Sequence, residues 1–296
     1  MNFSARLERY EGLERKRAIH ERIGRDLLVA DGAMGTMLQA EGLPAGEPPE
    51  HWNLTRPEAV QAVHRAYLGI GCDLVETNTF GANRPRLKAY GLDKEVAAIN
   101  ERGVELARKA CDAGQLVAGA VGPTDGFYGG RQKEAATGIA SAFEEQLSYL
   151  VQAGVDLIVI ETMTHLAEAR IALDAARKCS TVPIAVSLTF FERRGDLRTL
   201  DGASPQEAVR ELSDAQIVGC NCMDPDMAGE VLRQMRGVTD LPLIAQPHAG
   251  RTHPLTPQDI VHHLPAFVAS NVGILGGCCG TTPAHLEALV SALRRP

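Results

Sequence analysis

From residue 27 onward, eight short apolar runs rich in Val, Ile and Leu recur along the chain: 27–31 (LLVAD), 74–79 (LVETNT), 116–121 (LVAGAV), 157–162 (LIVIET), 184–190 (IAVSLTF), 217–222 (IVGCNC), 241–247 (LPLIAQP) and 272–277 (VGILGG). Each is strand-sized and uninterrupted, the pattern of a strand covered on both faces. Between the runs the apolar spacing switches to that of helices. Val60, Val63 and Tyr67 fall at i, i+3, i+7, and so do Leu166, Ala169 and Leu173. Helix starts carry their own chemistry. Thr55 with Glu58 and Ser204 with Glu207 read as capping boxes. Ser204-Pro205, Thr256-Pro257 and Thr282-Pro283 place a cap residue before a proline at the first helical position. Eight strand–helix units of about 30–40 residues predict an α/β protein built as a (β/α)8 TIM barrel. An open doubly wound sheet is the other architecture this alternation permits. Residues 1–26 precede the first run, and their mixed charges read as an N-terminal helical extension on a single barrel domain spanning 1–296.

Composition narrows the function. The chain has 296 residues, 45% of them hydrophobic, which sets it apart from a disordered polypeptide. Its formal net charge is −7 and no long basic stretch occurs, so nucleic acid and anionic membranes are not expected partners. No run approaches the roughly 18–20 apolar residues of a membrane span. The charged N-terminus has no signal-like apolar region, so a cytoplasmic location is expected. Thiols stay reduced in that compartment, and the seven cysteines then call for a purpose other than disulfides.

In a barrel of this kind, chemistry belongs at the C-terminal ends of the strands. Polar residues do cluster there: Asp31-Gly32-Ala33 after the first run, Glu76-Thr77-Asn78 in the second, Glu161-Thr162 in the fourth, His248 after the seventh. Four cysteines end just two runs, Cys220 and Cys222 in the sixth, Cys278 and Cys279 after the eighth. Adjacent cysteines can face one point only where the chain leaves strand geometry, and the flanking glycines allow that. With a thiolate from the sixth run they would form a three-sulfur set for Zn²⁺ that keeps a fourth position open. Two other readings stand beside this one: a reversible thiol-redox module, and a phosphate site on Gly276-Gly277. Cys72, Cys111 and Cys179 read as packing residues.

GGCCGTTPAH at 276–285, together with GCNC at 219–222, resembles the homocysteine S-methyltransferase family. DGAMGT at 31–36 and ETNTFGAN at 76–83 are most similar to the homocysteine-binding domain of cobalamin-dependent methionine synthases. The resemblance covers nearly all of residues 25–293. It implies a zinc-bearing barrel that methylates the sulfur of homocysteine to give methionine. Matched motif by motif, it implies that Cys222, Cys278 and Cys279 hold the zinc and carry the catalysis. Cys220 falls outside the family ligand pattern but sits two residues away, on what could be the same face. Asp31 and Glu161 would bind the substrate ammonium, the Gly32 and Ala33 N–H groups its carboxylate, and Glu76, Thr77 and Asn78 would position it. The resemblance leaves the methyl donor open between two settings. In one, methylcobalamin is supplied by a separate cobalamin-binding domain; in the other, S-methylmethionine or betaine is used by a free-standing enzyme. The chain departs from the family in QPHAG at 246–250, where His248 stands in place of an Asn. As a histidine it is a candidate fourth zinc ligand when substrate is absent. Loops 123–133 and 189–203 also depart, and both are expected at the mouth.

Overall fold

Each of the eight apolar runs contains a strand. The computed structural model describes residues 22–127, 136–250 and 253–294, apart from Gly24. The extension expected over 1–26 therefore lies largely outside the described residues, as does most of the loop 123–133. The strands are β1 (Leu28–Val29), β2 (Leu74–Glu76), β3 (Leu116–Val121), β4 (Leu157–Met163), β5 (Ile184–Leu188), β6 (Phe191–Arg193), β7 (Asp196–Arg198), β8 (Ile217–Asn221), β9 (Leu243–Gln246) and β10 (Val272–Leu275). Eight of them form one parallel sheet in the order β1-β10-β9-β8-β5-β4-β3-β2, with helices between successive strands. β6 and β7 are extra. They make an antiparallel hairpin inside the 189–203 loop, turned by Arg194 and Gly195, both at positive φ.

The seam between β1 and β2 is joined by a side chain as well as by backbone. Asp73 N–H donates to Val29 O (2.7 Å), and Val29 N–H donates back to the Asp73 carboxylate (2.8 Å). The device recurs around the barrel. Asp156, just before β4, accepts from Val117 N–H of β3 (2.9 Å), and Gln216, just before β8, accepts from Ile184 N–H of β5 (2.9 Å). Each satisfies a strand-start donor that would otherwise be buried without a partner.

Strand side chains divide by the period of two. Leu28, Ala30, Leu74, Leu116, Ala118, Leu157, Val159, Ala185, Ile217, Ile244 and Ile274 form one cluster, the barrel lumen. The alternating residues, among them Val29, Val75, Val117, Ile158, Val186 and Val218, pack with the helices in a second, larger cluster. Continued upward by two residues, or by four in β8, where Gly219 intervenes, the lumen phase delivers Glu76, Glu161, Ser187, Asn221 and Gln246. A polar layer therefore lies directly above an apolar one.

The helical spacing holds: Val60, Val63 and Tyr67 are all buried. Ser204–Glu207 forms the expected capping box, Thr256 pairs likewise with Asp259, and Thr282 with His285. Thr55 does not cap. It closes the short helix Trp52–Thr55, its hydroxyl donating to His51 O, and Pro57 starts the next helix without a side-chain cap. Among the described residues no helix is long and apolar enough to cross a membrane.

Candidate active site

A turn brings the adjacent cysteines together. Thr281 N–H donates to Cys278 O (3.0 Å), and Gly280 takes φ +78°, the left-handed value such a four-residue turn needs at its third position. Cys222 reaches them from β8. Lumen phase puts Asn221 inward, so regular alternation would send Cys222 outward; instead Cys222 adopts φ +58° and turns back. Among the described residues, Cys222, Cys278 and Cys279 form a set whose sulfurs all lie within 4.8 Å of one another. Cys222 and Cys279 are 3.9 Å apart at sulfur. A tetrahedral ion with metal–sulfur bonds of about 2.3 Å requires sulfur separations of about 3.8 Å, which the Cys222–Cys279 pair matches, so the set could hold a zinc ion. Crowding by its two neighbours and burial push the Cys278 thiol well above its ordinary range. Such a site favours a metal that takes over the thiol protons' role.

Cys220 does not join the set. The alternation that points Asn221 inward points Cys220 outward, where its thiol is buried facing Ala228 O of the helix Pro225–Arg236. His248 is not in the three-sulfur set. Its Nδ1 accepts from Gly250 N–H (3.0 Å) and its Nε2 faces the Asp224 carboxylate (3.7 Å). Nor can Gly276-Gly277 cradle a phosphate, because their N–H groups are committed to Ala245 O and Asp31 O. Cys72 is buried in the helix-facing core, and Cys111 and Cys179 are packed against it.

The three sulfurs form one end of a cavity of about 320 Å³ at the strand C-termini. Its wall includes Asp31, Gly32, Glu76, Asn78, Phe80, Glu161 and Thr162. Burial raises the pKa of Asp31 and Glu161 well above the carboxylate range, and each is raised further by its acidic neighbours; burial raises Glu76 too. The two glutamates are each held by a carboxamide, Glu76 Oε1 accepting from Gln246 Nε2 (2.9 Å) and Glu161 Oε2 from Asn221 Nδ2 (3.1 Å). One oxygen of Asp31 is buried with no hydrogen-bond partner among the described residues. Three acidic groups crowded in a buried pocket make a site for a cationic hydrogen-bond donor.

Two expected substrate contacts are occupied by the protein itself. Ala33 N–H donates to Thr281 O (3.0 Å), so it is not available to a carboxylate. Asn78 spends its amide hydrogens on Pro49 O (2.8 Å) and Asn53 Oδ1 (3.0 Å). It thereby ties the 49–53 segment to the end of β2 and holds the cavity wall. Glu50 does the same from the other side, accepting from Gly81 N–H (2.6 Å). Asn53, Glu50, Asn221 and Gln246 were not among the candidates from sequence. The signal for the last two is a carboxamide at a lumen position of an otherwise apolar strand.

The homocysteine S-methyltransferase family model matches residues 28–293, almost the whole barrel. The chain belongs to the homocysteine S-methyltransferase family. Methionine synthase of Mycobacterium tuberculosis is 30% identical over 300 residues, and that of Mycobacterium leprae 29% over 302. The matches cover 91% and 93% of this chain but 25% of each synthase, so the chain spans about a quarter of those relatives. Among solved structures, the Escherichia coli homocysteine methyltransferase MmuM in its metallated form superposes with a TM-score of 0.79 at 26% identity, covering 93% of this chain and 98% of that one. Its oxidized form gives 0.78 at 28% identity. The likeness confirms a homocysteine methyltransferase family enzyme on a TIM barrel.

Proposed function

We propose that this chain is a zinc-dependent homocysteine S-methyltransferase module that forms methionine. The observation that carries the proposal is the set of three sulfurs, all within 4.8 Å of one another, lining the same cavity as three buried carboxylates. Cys222, Cys278 and Cys279 would hold the ion and leave its fourth position toward the cavity. Zinc bound there would supply a Lewis acid that keeps the homocysteine sulfur deprotonated at neutral pH, where a free thiol of pKa about 8.5 is mostly protonated. Asp31, Glu76 and Glu161 take the substrate ammonium, giving its three hydrogens the acceptors they need. The Gly32 backbone N–H is left for the carboxylate. Held at both ends, the sulfur faces the mouth. It forms its bond to the donor's methyl carbon, and the donor leaves with the electron pair.

Methylcobalamin carried by a separate cobalamin-binding domain is the donor the sequence motifs favour, and the match to methionine synthases supports it. A free-standing enzyme using S-methylmethionine or betaine is the second reading. It is favoured by the coverage of nearly the whole Escherichia coli homocysteine methyltransferase. A donor panel tests both: homocysteine with methylcobalamin, S-methylmethionine or betaine, with and without a chelator, following methionine. One donor is expected to give methionine, with activity abolished by chelation and by Cys222→Ser. Methionine formation indifferent to both treatments would rule out the zinc reading.

A further inference from the structure

Asn221 and Gln246 are register partners on the neighbouring parallel strands β8 and β9, and both point into the lumen. Each donates to a different glutamate of the acidic wall. Asn221 Nδ2 donates to Glu161 Oε2 (3.1 Å), and Gln246 Nε2 reaches across the lumen to Glu76 Oε1 (2.9 Å). The orientation of Asn221 is fixed chemically. Its Oδ1 accepts from Thr162 backbone N–H (2.8 Å), which can only donate, so its amide nitrogen must face Glu161. Ser187 Oγ (3.0 Å) completes the Oδ1 shell, and Thr162 Oγ1 (2.8 Å) accepts the second amide hydrogen. Asn221 is fully buried with every polar atom in use. It also holds Thr162 at φ +57°, a strained value for a β-branched residue.

We propose that Asn221 and Gln246 are a matched pair of positioning residues that aim Glu161 and Glu76 at the homocysteine ammonium. The proposal rests on the reading above that these carboxylates receive that group. Carboxamides suit the task because they orient a carboxylate without cancelling its charge, as a lysine or arginine in the same place would. Their placement also couples the two ends of the substrate. Asn221 precedes Cys222, and Cys222 N–H donates to Gln246 O (3.0 Å). The strand pair that carries one sulfur thus also sets the glutamates, fixing the separation between the thiol and ammonium subsites.

The test is calorimetric binding to the zinc-loaded full chain, using homocysteine and 4-mercaptobutyrate, which is homocysteine without its amino group. No methyl donor is needed. Asn221→Asp and Gln246→Glu each replace the donating amide by an acceptor at nearly constant shape, ending the donation to Glu161 and to Glu76 respectively; in Asn221→Asp the Thr162 hydroxyl can turn to donate in place of the amide hydrogen it accepted. Each is expected to cut the preference for homocysteine over 4-mercaptobutyrate by at least about tenfold, the value of one hydrogen bond to a charged group. Zinc content and 4-mercaptobutyrate affinity stay unchanged. In a Glu161→Gln background, Asn221→Asp is expected to cost no further preference, because its effect runs through that glutamate. Asn221→Ser is the second variant, with thermal melting as the check on folding. The proposal is overturned if the variants keep the wild-type preference while Glu161→Gln loses it. It is also overturned if they weaken both ligands equally or lose zinc, as general structural damage would. Wild-type protein that fails to distinguish the two ligands would remove the ammonium reading itself, and the proposal with it.

Discussion

Single buried titratable residues make the stability of this fold depend on pH. Glu161 is buried and its neighbours are acidic, so its pKa lies well above the ordinary value of 4.5. A carboxyl group raised in the fold costs stability once pH exceeds its unfolded value, and the cost is complete above its folded value. Glu161→Gln is therefore expected to raise the stability of substrate-free protein by about 1–2 kcal/mol at pH 7.5 while weakening homocysteine binding. Urea melts across pH would show the gain shrinking toward pH 4.5; a variant less stable than wild type at pH 7.5 would contradict it. His64 has the opposite sign. It is fully buried in the helix Pro57–Gly69, neither ring nitrogen has a partner among the described residues, and burial lowers its pKa from 6.5 to about 3. The unfolded chain takes up that proton first, so stability present above pH 6.5 is lost as pH falls toward 3. The slope is about 1.4 kcal/mol per pH unit. His64→Leu is expected to flatten that portion of the acid-denaturation curve, and an unchanged slope would show that His64 is not its source.

At the scale of elements, strands place the site and turns finish it. β8 shows both. Gly219 lies two residues below Asn221 on the lumen side, where the neighbouring strand comes so close that an added Cβ would strike Ile244 O and C. Gly219→Ala is expected to destabilise the fold by more than about 3 kcal/mol, read from its denaturation midpoint. A shift under 1 kcal/mol would mean that β8 and β9 can separate without cost. The same elements show what a sequence discloses. The apolar runs predicted every barrel strand because both faces are buried and alternation is absent. The ends of the runs were less legible. The 74–79 run stops pairing as strand at Glu76, because Thr77 and Thr79 turn the chain through a contact between their hydroxyls (2.6 Å) and a backbone bond. Cys220 and Cys222 could not be separated by spacing, since the reversal at Cys222 is a backbone value that spacing does not reveal. The hairpin β6–β7 was hidden in a loop whose turn residues, Arg194-Gly195, are not among the strongest hairpin signals.

The whole molecule is a barrel whose lumen is apolar below and acidic above, with three sulfurs on one side of the mouth. The cysteines and carboxylates were legible because they are chemically conspicuous at strand ends. The clasp of Asn221 and Gln246, the seam at Asp73 and the wall tie at Asn78 depend on partners 25 to 170 residues away, which local pattern cannot supply. The central claim is that three protein sulfurs hold a zinc whose fourth position receives homocysteine. Zinc-edge X-ray absorption of the loaded protein, before and after homocysteine is added, tests it most directly. The account predicts three sulfur neighbours and one lighter atom before addition, and four sulfurs afterwards. A sulfur count that stays the same when homocysteine binds would contradict it.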